Sequence, residues 1–348
     1  MILWADSFDH YGDTESNMTD GPWAEIFADI STEHPRTGAR GLRLGASGSA
    51  IARRVFGGNK TVAGVGMALY MPALPTVNGG MVPIQFMDDA NAAQVRVVVE
   101  STGAISVYLG PFSFGNMPVA TSTELATTNG QNHLEAKCAC DASTGSVEVR
   151  LNGVTVCNVS GINTDMSGHG NIAQYASTNS FNRGADSQWF IDDVIAWDGS
   201  GTYNNDFVGD KKVFTDFPDA DTADIDWTPS TGTSRFAMVD DPDPDGDGTY
   251  DEADDVNDVM GVTYPDVDPA VLTIAALIFL HKTKKTDAGT SNVQQSVISG
   301  SDQTDGDDRP MTTAYIVYQD VIETDPATSA PWMPAAASAA AQNLTRTA

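Results

Sequence analysis

Residues 132–161, NHLEAKCACDASTGSVEVRLNGVTVCNVSG, leave this chain little freedom of fold. Leu134, Ala136, Cys138 and Cys140 recur at every second position, and Val147, Val149 and Leu151 do the same after Ser143-Thr144-Gly145. A period of two puts such side chains on one face of an extended strand, whereas a helix would scatter them around its circumference. Asn152-Gly153 then closes a tight hairpin, because both residues tolerate the positive φ of a two-residue turn. The segment predicts a three-stranded antiparallel meander with one apolar face.

The pattern recurs along the first 200 residues. AQVRVVVESTGAISVYLG, residues 93–110, holds two alternating runs about Ser101-Thr102-Gly103 and predicts another hairpin. SQWFIDDVIAWDGSG, residues 187–201, is a further strand rich in aromatic and β-branched side chains, ended by glycine. Many short strands without a sustained helical period predict an all-β chain with a sandwich or jelly roll over residues 1–200. Between residues 201 and 270 the composition shifts to nineteen Asp or Glu against three Lys or Arg. This reads as an acidic connecting segment over 201–268 that packs in part on a sheet. β-Character returns in AVLTIAALIFLHKTKKT, SNVQQSVISGS and TTAYIVYQDVIETDP, so 269–348 is expected to be a small β-rich domain. Its Ala-rich tail, PAAASAAAQ, reads either as a helical turn or two or as a flexible end.

Composition removes several functional classes. A formal charge of −29 repels phosphate backbones and anionic lipid surfaces, which argues against nucleic-acid binding. The longest apolar run, Val271 to Leu280, is about half the length of a membrane-spanning helix. MILWADSFDH has no basic region of the kind that opens a signal peptide, so synthesis in a cytoplasm and a soluble product are expected. Three cysteines, Cys138, Cys140 and Cys157, are too few for a disulfide framework, and the first two read as small core residues. A thiolate metal site with His133 is the minor alternative.

Catalytic signatures are missing. Glycan hydrolysis on a sheet needs two carboxylates at a fixed separation, and the alternation Glu323, Asp325 stops at Ala327. Asp192 and Asp193 are adjacent, so a regular strand would point them to opposite faces. There is no G-x-S-x-G, and His10, His34, His133, His169 and His281 lie beside no nucleophile motif. Around His169, DMSGHGN reads as a solvent-exposed turn. No enzyme is expected and no cofactor is required.

Asp241 to Glu252, DPDPDGDGTYDE, has the spacing of an EF-hand calcium loop. Asp241, Asp243, Asp245, the carbonyl of Asp247 and Glu252 would supply the oxygens, and Gly246 the sharp turn. Gly248 replaces the usual apolar eighth residue, no amphipathic helix precedes the loop, and Pro242 and Pro244 remove two backbone donors. A solvated acidic loop is the leading reading, with calcium the alternative.

Several segments resemble a structural protein of tailed bacteriophages. They are DSFDHYG at the start, RTGARGLRL at Arg36–Leu44, the meander, and above all WFIDDVIAWDGSGTYNNDFVGDKKV at 189–213. WTPSTGTSRFAMVDD and the segments around KTDAGTSNV and YIVYQDVIETDPATSAPW resemble its later parts. The resemblance implies a concanavalin A-like (lamin-G-like) jelly roll and a virion protein of the tail or tail fibre. Its partners would be other tail proteins and further copies of itself, with three-fold symmetry favoured. Glycan or receptor binding through jelly-roll loops is the alternative, with Trp4, Tyr11, Trp23, Tyr175 and Tyr203 as loop aromatics and Trp23 and Tyr175 as the candidate contacts. Capsid decoration comes third.

Overall fold

The computed structural model describes residues 1–12, 16–19, 21–45, 50–76, 81–111, 116–179 and 188–348. Two compact units emerge, Met1–Asp9 with Asp13–Phe214 and His10–Gly12 with Thr215–Ala348. The boundary falls after residue 214 rather than at 200, and the acidic stretch beyond it is built into the second unit.

Strands of the first unit begin with β1 (Ile2–Asp6), β2 (Trp23–Phe27), β3 (Asp29–Ser31), β4 (Gly41–Leu44) and β5 (Ile51–Lys60). Next come β6 (Val62–Tyr70), β7 (Met81–Met87), β8 (Ala93–Val99), β9 (Ala104–Leu109) and β10 (Ala120–Leu125). The series closes with β11 (Gln131–Ala139), β12 (Gly145–Leu151), β13 (Val154–Ile162), β14 (Ile172–Asn179) and β15 (Trp189–Asp198). One sheet runs β13-β12-β11-β6-β15-β4-β3, with β1 also on β15, and the other runs β10-β9-β8-β7-β14-β5-β2. All pairings are antiparallel. Sequence neighbours repeatedly fall in different sheets, as in a jelly-roll sandwich.

The meander is β11-β12-β13, with Leu134 opposite Leu151 and Cys138 opposite Val147. Asn152 and Gly153 take φ of 51° and 81° at its hairpin. Cys138, Val147 and Val149 are fully buried, and all three cysteines are free thiols. His133 sits on the other parity of β11 from Cys138, so the two do not converge as metal ligands. Trp197 of β15 lies over the neighbouring β6, where a Cβ on Gly64 would come within 2.2 Å of its indole. Only glycine leaves the ring that room.

In the second unit the strands are β16 (Ala220–Ile225), β17 (Thr228–Pro229), β18 (Asp251–Glu252), β19 (Val259–Thr263) and β20 (Leu277–Thr283). They continue with β21 (Asn292–Ser299), β22 (Asp302–Pro310), β23 (Ile316–Ile322) and β24 (Ala341–Arg346). A sheet of order β16-β19-β24-β21-β22 is accompanied by the pairs β17-β18 and β20-β23. Two small clusters fill this unit: Trp227, Met260, Val293 and Leu344, and Phe279, Val297, Trp332 and Ala340. The Ala-rich segment forms a short helix, Pro334–Ser338, and then β24, which is a central strand rather than a tail. The apolar run 271–280 contributes to β20, and no helix among the described residues is long and apolar enough to cross a membrane.

Candidate functional site

Neither aromatic expected to meet a glycan is at a surface. Trp23 is 2% exposed and Tyr175 fully buried. Trp23 donates from Nε1 to Asp6 Oδ2 at 2.9 Å, the Tyr175 hydroxyl bonds Ser177, and the two rings meet edge to face at 6.5 Å. Their large apolar area is satisfied inside the sandwich, which the loop-like setting in sequence concealed. In the acidic loop, Asp241 and Asp245 converge on Thr249, whose hydroxyl lies 3.1 Å from each. The Asp247 side chain, whose carbonyl was the expected ligand, bonds Lys284 and the Tyr315 hydroxyl, which donates to it at 2.7 Å. Glu252 is in β18, paired with Thr228. No three carboxylates of this loop gather around one point, so the EF-hand spacing does not produce an EF-hand ligand set.

Those segments of the phage resemblance that lie in the first unit supply ties within it. Asp6, fully buried, accepts from Trp23 and pairs with buried Arg54 at 3.0 Å. Asp9 accepts the backbone N–H groups of Ala39 and Arg40 at 2.7 and 2.9 Å. A bulge in β15, where Asp193 adopts φ 49°, turns both Asp192 and Asp193 toward residues 36 and 37. Asp192 accepts from the N–H groups of Arg36 and Thr37, while Asp193 accepts from the Thr37 hydroxyl and the N–H of Val213. The expected opposite orientation of this pair is thus overturned by the extra residue of the bulge. Residues 204–214 form a strap along the same sheet. Phe207 lies under the Arg150 guanidinium at 3.7 Å, Lys137 pairs with Asp206, and the N–H of Gly209 donates to Glu135. Burial pushes the Glu135 and Asp192 carboxyls up, the latter also through the charge of Asp193. These acids act as structural anchors.

A different surface has the character of a binding site. Backbone register aligns Glu25, Arg53, Ala176, Gln85, Arg96 and Tyr108 as one rung across β2, β5, β14, β7, β8 and β9. The adjacent row, Tyr175, Phe86 and Val95, carries the ring that packs on Trp4, so the rung lies on the opposite face of the sheet, where Arg96 is itself only 3% exposed. Arg96 donates from Nε to the Gly110 carbonyl at 2.9 Å and holds its guanidinium 5.4 Å from the Tyr108 ring centre. Tyr108 donates to Glu100 at 2.7 Å, and burial together with that carboxylate pushes its phenol up to about 12. It is therefore a neutral donor at physiological pH. Arg53 pairs with Glu25 at 3.2 Å and donates to Gln174, which bonds the Asp88 carbonyl. Between them Gln85 is half-buried, its side-chain amide makes no hydrogen bond with any described residue, and fully buried Ala176 lies beside it. At the rim of this face, Asp88, Asp89 and His169 form the one group of three potential metal-ligating side chains found among the described residues.

Sequence reading missed this face, although one signal was present: Arg96 is a cation among the valines of QVRVVV. His169 lies in a turn, as expected, and its side chain is 44% exposed; the partners that the turn brings it were not legible.

No protein-family model matches the chain, and no curated protein does. Among solved structures, alginate lyase Aly36B is 13% identical, with a TM-score of 0.36 over 55% of this chain and 95% of that one. Cellulose induced protein Cip1 is 12% identical, with a TM-score of 0.41 over 59% and 99%. The carbohydrate binding module CBM66 from Bacillus subtilis is 11% identical, with a TM-score of 0.33 over 49% and 91%. Likenesses this distant carry no argument about activity. What the coordinates define is an all-β protein: a jelly-roll sandwich together with a second, antiparallel β unit.

Proposed function

We propose that the protein is a non-enzymatic carbohydrate-binding protein, and that it binds a glycan along the outer face of β5, β14, β7, β8 and β9. The observation that carries this reading is the rung Arg53–Ala176–Gln85–Arg96–Tyr108. The partly exposed Arg53 guanidinium, Gln85 amide and Tyr108 phenol, held on rigid strands, offer fixed donors and acceptors to sugar hydroxyls, the Tyr108 ring offers an apolar surface, and buried Arg96 braces that ring from within. The intramolecular bonds of Arg96 and Tyr108 fix those groups before a ligand arrives, which lowers the ordering cost of binding. Tyr108 stays protonated near neutral pH, and the one carboxylate of the rung, Glu25, is held in its pair with Arg53. A panel of immobilised polysaccharides and oligosaccharides, followed by calorimetry on the full chain, tests the reading. Wild type should retain at least one glycan, and Gln85→Ala and Tyr108→Phe should each weaken it by about tenfold, the equivalent of one hydrogen bond near 1.4 kcal/mol. Absence of binding to every glycan at millimolar concentration, or affinities untouched by both substitutions, would overturn it.

A second reading, a structural part of a tailed-phage particle, rests on the sequence resemblance. Within the chain, residues behind that resemblance hold the N-terminal segment, residues 36–40 and the strap together. In this reading the protein sits in the tail or tail fibre as a homo-oligomer, trimeric by preference, and the glycan face would serve host attachment. Gold-labelled antibody on intact particles decides the matter: label at tail or fibres supports it, and label over the head would make the protein a capsid decoration.

A further inference from the structure

We infer that Asp88, Asp89 and His169 bind one divalent metal ion of the manganese type at the rim of the second sheet. The loop after β7 supplies both carboxylates and the loop before β14 supplies the imidazole. His169 Nδ1 lies 3.0 Å from Asp88 Oδ2 and 3.1 Å from Asp89 Oδ1. Ligand atoms about 2.1–2.2 Å from an ion and at right angles to each other are separated by about 3.0 Å, so the imidazole fits a position adjacent to each carboxylate on one ion, and all three ligand atoms lie within 4.8 Å of one another. Two carboxylates beside one imidazole suit an octahedral first-row ion such as Mn²⁺, which accepts a nitrogen among oxygens, better than calcium, which prefers oxygen throughout.

The surroundings hold this geometry in place. Asp88 is fully buried, and its Oδ1 accepts the N–H groups of Ala90 and Ala92 at 2.9 and 2.7 Å. Gln94 donates to its Oδ2 at 3.1 Å and is itself fixed by Ser167 and Met166 of the other loop. Asn59 donates to Asp89 Oδ2 at 3.0 Å, and Asn171 accepts the Asp89 N–H while donating to the His169 carbonyl. Outer partners of this kind orient metal ligands in known sites. Asp89 and His169 are each close to half exposed, which leaves the remaining coordination positions to water or to a ligand. A protonated His169 would bridge the same carboxylates at the same distances, so the decisive measurement must detect the ion itself.

The experiment uses the full chain freed of metal by EDTA and titrated calorimetrically with Mn²⁺, Zn²⁺ and Ca²⁺ in turn, with no carbohydrate present. One saturable Mn²⁺ site per chain is expected, with His169→Ala and Asp89→Asn each lowering its affinity at least tenfold. Both substituted side chains are partly exposed, and matched thermal melts without metal verify that the variants fold. Mn²⁺ should also broaden the His169 ring resonances at substoichiometric amounts. Lack of a saturable site, or a stoichiometry and affinity retained in His169→Ala, would overturn the inference; binding retained there would place the ion elsewhere, as on the acidic surface. Because no glycan enters the measurement, failure here leaves the glycan reading standing, and the converse holds.

Discussion

The two units carry acid in opposite ways. Up to residue 214 there are twenty-two acidic against twelve basic residues, and beyond it twenty-five against six in a much shorter stretch. In the sandwich the important carboxylates are buried and each secures a neighbouring segment, as Asp6, Asp88, Asp192, Asp193 and Glu135 do. In the second unit most acids face water, as along β22, where Asp302, Asp305, Asp307 and Asp308 line an edge strand beside β21. A buried, fully bonded acid specifies geometry, while an exposed one contributes solubility and discourages pairing with another chain. Charge per residue thus says little about what charge does. Its burial decides.

That contrast can be broken by substitution. The largest effect is expected from Asp6→Ala in the sandwich, which strips the carboxylate from buried Arg54 and the acceptor from Trp23. Breaking a buried pair from one side costs about 3–5 kcal/mol, visible as a large drop in the urea midpoint. An unchanged midpoint would remove the ties from the account of this fold. The second unit has exceptions, buried Asp320 and Asp325 and half-buried Asp251, and Asp251 is the one left without hydrogen-bond partners. Burial pushes its carboxyl up to about 7, and neither of its oxygens has a hydrogen bond among the described residues. A carboxyl raised in the folded state favours folding most below the ordinary carboxylate range, and that contribution is lost as pH rises to about 7. Asp251→Asn should therefore leave Tm nearly unchanged at pH 4 and raise it at pH 8, by about 1 kcal/mol or roughly 3 °C. Equal shifts at both pH values would contradict this. The smallest effect is expected from Asp307→Ala, which removes a side chain 77% exposed from its pairing with Arg309. Its cost should stay within about 0.5 kcal/mol, and a larger loss would mean that the second unit also relies on acid ties.

Legibility from sequence followed the range of the interactions. The 145–153 hairpin and the cysteine stripe were readable because alternation and turn chemistry are local. The Gln85–Arg96–Tyr108 rung was not, because it depends on the register of strands far apart in the chain, and Ala176 looks inert until Gln85 is placed beside it. The bulge at Asp193 looks like regular strand in sequence, so the direction of the Asp pair was misread. The EF-hand spacing was correct as spelling, yet Asp241 and Asp245 turn to the Thr249 hydroxyl and Glu252 sits in the β17-β18 pair, so the predicted carboxylates do not gather. β24 was hidden by composition: alanines precede it, and AQNLTR alternates too weakly to announce a central strand.

That central place of β24 has a consequence for synthesis. Its neighbour β19 ends at Thr263 and β24 begins at Ala341, so at about 5–20 residues per second the ribosome needs several seconds between them. Throughout that interval the β16–β19 ribbon has an open edge and half a core. Its many carboxylates then serve the nascent chain: they keep an unfinished sheet from pairing with its neighbours on the same messenger until its proper partner emerges.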